Sequence, residues 1–210
     1  WNPGLFGKRG ADQGEHGIFE YAGWATNVVV VPVTHAIPVP EGMDPRLGVH
    51  SDSAAIGAKA FMEATAVGNA RFQKWGQPRE YYMADGTYKV LPPRALVLGI
   101  TGNTGIHAAA LMLSRTNPKW DVYGVGTTKW DPANPVPKIK RILDLGAKYY
   151  ALDRDACNND DWATNPAADM REQVRKELGI HADEIVPFDL IIDVCGAPGT
   201  IARFLEANLP

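Results

Sequence analysis

A chain of 210 residues with 45% apolar and 21% charged side chains has enough material for a sizeable core and too little charge for disorder. Its formal net charge of -3 argues against a broadly basic face, so nucleic acid is not an expected partner. No run reaches the ~20 consecutive apolar residues that span a bilayer, and the longest candidate, residues 28–33, is one short strand containing Pro32, so no membrane partner is expected. The two cysteines, Cys157 and Cys195, form no CxxC pair, which leaves no zinc-ribbon or disulfide framework and points to a reducing, cytoplasmic setting. The opening Trp1-Asn2-Pro3-Gly4 has neither an initiator Met nor a signal-peptide pattern and reads as the middle of a longer chain.

In chain order, residues 1–23 are rich in Gly and charge and read as loop, and the β-branched run 26–32 reads as a strand. Residues 35–40 alternate apolar residues with proline, which suits an edge strand or extended segment, and Glu41-Gly42 is a turn. Residues 51–66 read as a helix capped by Ser51, Asp52 or Ser53, with Ile56, Ala60, Phe61 and Ala64 on one face. Residues 68–92 read as an irregular inserted connection with turn signals at Gly76-Gln77-Pro78 and Asp85-Gly86.

From Pro93 onward the pattern changes. Apolar strands at 95–98, 121–125, 149–152 and 188–194 alternate with helices at 106–114, 137–145, 167–178 and from 200. Such alternation predicts an α/β fold with a doubly wound parallel sheet of Rossmann type.

The first of these strands runs into Gly99-Ile100-Thr101-Gly102-Asn103-Thr104-Gly105, a GxxGxxG turn that opens a helix. A pyrophosphate is held at a helix N-terminus by free N–H groups and the helix dipole. Backbone approaches it closely only where no Cβ intrudes, and the last Gly lets helix and strand pack tightly. The plainer reading of the motif is a tight turn without a ligand; its place in a series of β/α units favours dinucleotide binding through Gly99, Thr101, Gly102, Asn103, Thr104 and Gly105. After the second strand, Gly126-Thr127-Thr128-Lys129 has no acid to hold an adenosine ribose diol. Thr127, Thr128 and Lys129 suit a 2′-phosphate, so NADP is favoured over NAD, although Lys129 also reads as a solvated lysine. Cys195-Gly196-Ala197 end the fourth strand, where backbone could line a nicotinamide ribose, and Cys195 reads as a small buried residue rather than a nucleophile.

With these residues in place, the chain resembles the zinc-type medium-chain dehydrogenase/reductases, and among them the glucose or aldose dehydrogenases. The resemblance runs through Gly23-Trp24-Ala25-Thr26, Ile37-Pro38-Val39-Pro40-Glu41-Gly42, Asp52-Ser53-Ala54-Ala55-Ile56-Gly57-Ala58-Lys59-Ala60, the glycine turn, Leu143-Asp144-Leu145-Gly146-Ala147 and Phe188-Asp189-Leu190-Ile191-Ile192-Asp193-Val194-Cys195-Gly196. It implies that residues 1–50 are the C-terminal part of a GroES-like catalytic β domain, 51–92 a linking helix and connection, and 93–210 an incomplete Rossmann domain. It further implies an NAD(P)-dependent oxidoreductase that passes a hydride between the cofactor and a small-molecule alcohol or sugar, assisted by zinc in the full protein and assembled as a homo-oligomer. Asp52 stands where the family carries a Glu at or near the catalytic zinc, and Ser53 where it carries Pro. Asp can ligate zinc, but the plainer role of Asp52 is a helix cap. The family's N-terminal Cys and His ligands have no counterpart, and the chain ends before the last strands of such a sheet, which implies a fragment.

Other polar residues have plain readings. His16, His35, His50, His107 and His181 are scattered, Asp153-Arg154-Asp155 reads as a polar loop, and 158–161 as a turn cluster. Trp24, Trp120, Trp130 and Trp162 could stack on adenine, though packing is their commoner use. Two competing functions remain open at this stage: a zinc-free NADPH-dependent quinone or enoyl reductase using the same turn, and a non-catalytic cofactor-binding relative.

Overall fold

The computed structural model describes residues 15–16, 20–21, 37–114, 119–152 and 166–208. The chain divides into two compact units, Trp1–Gly48 and Val49–Pro210.

In the first unit, β1 (Glu15–His16) and β2 (Glu20–Tyr21) pair in parallel, so the stretch expected to be all loop carries a short ladder. The expected strand at 26–32 lies outside the described residues. Residues 37–40 are exposed and join no strand. The Glu41-Gly42 turn is as expected: Gly42 takes a φ of +79°, and the Met43 N–H donates to the Pro40 carbonyl at 3.1 Å. A single-turn helix, α1 (Pro45–Gly48), follows.

The second unit opens with α2 (Ser51–Arg71), a full turn longer than expected. Its N-cap is His50 without a side-chain cap bond, so Ser51, Asp52 and Ser53 belong to the first turn instead of capping it. The inward face is Gly57, Phe61 and Gly68, with Ala64 half-buried, whereas Ile56 is 51% exposed. Glycine explains the displacement. A Cβ on Gly57 would stand 3.1 Å from backbone atoms of Ala108, so α2 approaches α3 closely through a residue with no side chain.

The segment expected to be irregular is an antiparallel hairpin, β3 (Arg79–Tyr82) and β4 (Tyr88–Leu91). Gly86, at φ +83°, makes the turn, and the Asp85 carboxylate accepts from the Thr87 N–H at 3.0 Å. The expected turn signal was therefore right and the irregularity wrong. The Ala84 N–H donates to the Gly179 carbonyl and the His181 N–H to the Tyr82 carbonyl, at 2.8 and 2.9 Å, which fastens the hairpin to the domain.

The remaining elements are β5 (Arg94–Leu98), α3 (Asn103–Ser114), β6 (Asp121–Gly126), α4 (Pro137–Asp144), β7 (Lys148–Ala151), α5 (Pro166–Leu178), β8 (Leu190–Asp193) and α6 (Pro198–Asn208). The four strands form one sheet in the order β7–β6–β5–β8, every pairing parallel. Strand β5 is buried throughout, as expected for a strand covered on both faces. Its alternation sorts the core: Ala95 and Val97 pack with Phe61 of α2, Ala108 and Met112 of α3 and Ile142 of α4. Leu96 and Leu98 pack with Met170 and Val174 of α5 and Phe204 of α6. This is a three-layer, Rossmann-like α/β architecture.

At the amino end of the sheet, the Asp189 side chain is 1% exposed and forms an ion pair with Arg79 of the hairpin. It also accepts from the Arg94 N–H at 2.9 Å, while the Asp189 carbonyl accepts from the Trp75 indole at 2.9 Å. Arg94, itself buried, donates to the Tyr81 hydroxyl and to the Pro187 carbonyl. This knot ties hairpin, β5 and β8 together.

Candidate functional site

The chain runs outward from β5 through β6 to β7, then returns to β8 on the other side of β5. In an open parallel sheet, ligands bind outside the carboxyl ends of the strands where the order reverses in this way. The glycine turn stands there. Gly99 has a φ of +81°, and a Cβ on it would come within 2.9 Å of the Cys195 Cβ at the tip of β8. Gly105 is pressed against the turn, because a Cβ there would meet the Gly99 oxygen at 2.6 Å and the Ile100 Cα at 2.8 Å. Gly102 is exposed, and its N–H closes the turn onto the Gly99 carbonyl at 2.9 Å. The buried Ile100 roots the turn in the core.

The Ile106 N–H donates to the Gly102 carbonyl at 3.0 Å, so the N–H groups of Asn103, Thr104 and Gly105 precede the helical ladder of α3, the positions whose donors have no partner within a helix. They meet the tip of β5 in a cradle that side chains would fill. A dinucleotide pyrophosphate fits this arrangement. The Asn103 side chain is engaged elsewhere: its amide donates to the Ser53 hydroxyl of α2 at 2.7 Å. The contribution of Asn103 to the cradle is thus its backbone, and Ser53, which the sequence offered only as a candidate helix cap, supports the turn.

The tip of β6 lies beside the turn. A Cβ on Gly126 would stand 3.3 Å from the Thr101 hydroxyl oxygen and 2.9 Å from the Tyr149 hydroxyl. Thr127, Thr128 and Lys129 are all exposed. The Tyr149 hydroxyl donates to the Thr128 carbonyl at 2.6 Å. A cleft of 580 Å³ opens next to Lys129, lined among others by Trp130, Tyr149, Tyr150, Met170 and Gln173. Trp130 is thus placed beside the site. Trp120 is not: it is buried edge-on against Phe61. Trp24 and Trp162 lie outside the described residues, as do residues 153–161 and Cys157.

At the tip of β8, the Asp193 carboxylate accepts from the Cys195 N–H at 3.1 Å, the Cys195 thiol at 2.9 Å and the Gly196 N–H at 3.3 Å. Gly196 takes a φ of +63°, so the loop turns away with Gly196 exposed and Ala197 half-buried. Cys195 is exposed, not buried as expected. Partial desolvation, then the hydrogen bond to Asp193, pushes its thiol pKa up, so it remains a protonated donor and no nucleophile. Asp193 shapes this tip. Its signal in the sequence was an Asp two residues before the loop, the spacing of an Asx turn.

Asp52 is exposed on the first turn of α2. Among the described residues, no three His, Cys, Asp or Glu side chains are grouped to hold a metal ion, so these residues form no complete zinc site by themselves. His50 and His107 lie with ring centroids 5.2 Å apart, and His181 packs on Tyr82. No helix among the described residues is long and apolar enough to cross a membrane.

No protein-family model matches the chain. Over 147 residues the chain is 29% identical to Glucose 1-dehydrogenase 1 of Vulcanisaeta moutnovskia. The match takes in 70% of this chain and 35% of that protein, so the chain spans about a third of the curated relative it is similar to.

Proposed function

We propose that this chain is the nicotinamide-dinucleotide-binding part of a dehydrogenase of the medium-chain type, acting on an alcohol or aldose, with NADP preferred over NAD. The observation that carries the reading is the glycine cradle of Gly99, Gly102 and Gly105 at the point where the strand order reverses. Similarity to a glucose 1-dehydrogenase supports the substrate class. The residues before α2 are assigned to a GroES-like catalytic domain, with residues 51–92 linking it to the Rossmann domain, and the complete protein to a cytoplasmic homo-oligomer.

When bound, the nicotinamide ring supplies the hydride acceptor or donor. The chain itself binds and orients. The Asn103, Thr104 and Gly105 N–H groups receive the pyrophosphate, and Thr101 lies between this turn and the β6 tip. Thr127, Thr128 and Lys129 receive a 2′-phosphate, and the backbone of Cys195, Gly196 and Ala197 lines the nicotinamide ribose. The closed β6 tip offers no carboxylate to a ribose diol, which favours the phosphorylated cofactor. Zinc assistance belongs to the whole protein, with Asp52 as the residue this chain would contribute; the described residues supply no full donor set, and no chemical step is assigned to it.

Calorimetric titration with NADPH and NADH side by side tests the assignment. NADPH is expected to bind more tightly, and Lys129→Ala to reduce that preference by about tenfold, the worth of one charge-assisted phosphate contact. A folded protein that takes up neither nucleotide would refute the reading.

A further inference from the structure

We infer that Tyr149 is a positioning residue for cofactor choice: its hydroxyl fixes the β6 tip in the shape that receives a 2′-phosphate. This rests on the dinucleotide reading above and assigns to β7 a role that neither the glycine turn nor Lys129 can perform.

Thr127, Thr128 and Lys129 are exposed and leave the sheet at Gly126. A phosphate site built from them requires their backbone to hold one conformation, because three exposed residues otherwise spend binding energy on being ordered. The only hydrogen bond among the described residues that reaches this tripeptide from another element is Tyr149 Oη to the Thr128 carbonyl, at 2.6 Å. The ring behind that hydroxyl packs against the buried core cluster to which Val97, Ile100 and Val122 belong, so the donor stands on a rigid support. Burial pushes the phenol pKa up, which keeps the proton on the donating oxygen. Gly126 completes the arrangement. A Cβ there would stand 2.9 Å from Tyr149 Oη and 3.3 Å from Thr101 Oγ1, so a side chain at this position would press the phenol away from its path to Thr128. The Leu152 N–H donates to the Gly126 carbonyl at 2.8 Å, closing the tip from the same neighbouring strand.

Two parts of the cofactor therefore depend on different supports. The pyrophosphate, common to both nucleotides, meets the glycine turn, which Tyr149 does not hydrogen-bond. The 2′-phosphate, present in one, meets the tripeptide that Tyr149 holds.

The test is Tyr149→Phe in the 210-residue chain, which keeps the ring and removes the O–H. NADPH, NADH, adenosine 2′,5′-bisphosphate and AMP are titrated into wild type and variant. The expected result is a loss of about three- to tenfold in NADPH and bisphosphate affinity, the worth of one hydrogen bond, with NADH and AMP within about twofold. The ratio within one preparation is insensitive to a lowered folded fraction, so a less stable variant still answers. A variant that retains the wild-type NADPH:NADH ratio overturns the inference and leaves the dinucleotide site standing. A loss shared equally by all four ligands also overturns it, since that is what a merely structural tyrosine would give. Wild type that binds none of the four, or prefers NADH, fails the underlying reading itself.

Discussion

Gly102 and Gly105 belong to one motif and are glycine for different reasons. Gly105 is buried, and its added Cβ would strike the backbone of Gly99 and Ile100, which cannot swing aside. Gly105→Ala is expected to cost about 1–3 kcal/mol in urea denaturation, outweighing the roughly 1 kcal/mol gained in helix propensity. Gly102 is exposed, and its Cβ would lie 3.3 Å from one oxygen. Gly102→Ala is expected to change stability by no more than about 0.5 kcal/mol, yet to weaken both nucleotides in calorimetry because a methyl then occupies the approach to the N–H groups. Unaltered binding by Gly102→Ala would mean that the phosphate does not sit there. The glycines were legible in the sequence because the requirement is local: strand, turn and helix follow one another directly. Ser53 and Tyr149 were not, because their partners are 50 and 21 residues away, and only the folded sheet brings them together.

The contact between α2 and α3 turns on a small-residue crossing of Gly57 over Ala108. Gly57→Leu is expected to separate the helices, break the Asn103–Ser53 hydrogen bond and lower stability by about 1–3 kcal/mol in urea. Stability equal to wild type would show that the helices do not pack closely. The β/α units were readable because buried parallel strands are continuous apolar runs between periodic helices. The hairpin was not. In β4 only Leu91 is buried, and in β3 only Tyr81, while the apolar Val90 is 60% exposed. Pairing and the Asp189 ion pair hold that element, and neither leaves the alternation by which a half-buried strand is recognised. The start of α2 misled for a related reason: three residues with capping side chains follow the true N-cap, His50.

Across the whole second unit, four phenols are held above their ordinary value. Burial is the leading cause for Tyr81, Tyr123, Tyr149 and Tyr150, reinforced at Tyr150 by the hydrogen bond to Glu177. Each binds its proton more tightly folded than unfolded. Their contribution is therefore complete below the unfolded value of 10.0 and is lost as pH rises towards the folded values. Melting temperature is expected to fall progressively above pH 10, with phenolate absorbance lagging behind that of the denatured chain. Four phenols that ionise in the folded protein at their ordinary value would contradict this packing. The parallel order and two-sided core of the molecule were thus foreseeable from its sequence, whereas the metal question was not, since ligands are gathered by tertiary geometry that 210 residues of pattern do not encode.

The Asp189 knot lies at one end of β8 and the Asp193-shaped loop at the other, with the four-residue strand Leu190–Asp193 between them. At roughly 3.3 Å per residue, the strand holds the two about 13 Å apart. The fastening of the domain and its ligand-facing surface can therefore change independently over evolutionary time. On the proposed reading, exchange of Thr127, Thr128 and Lys129 would alter nucleotide preference without touching the ionic fastening at the opposite edge.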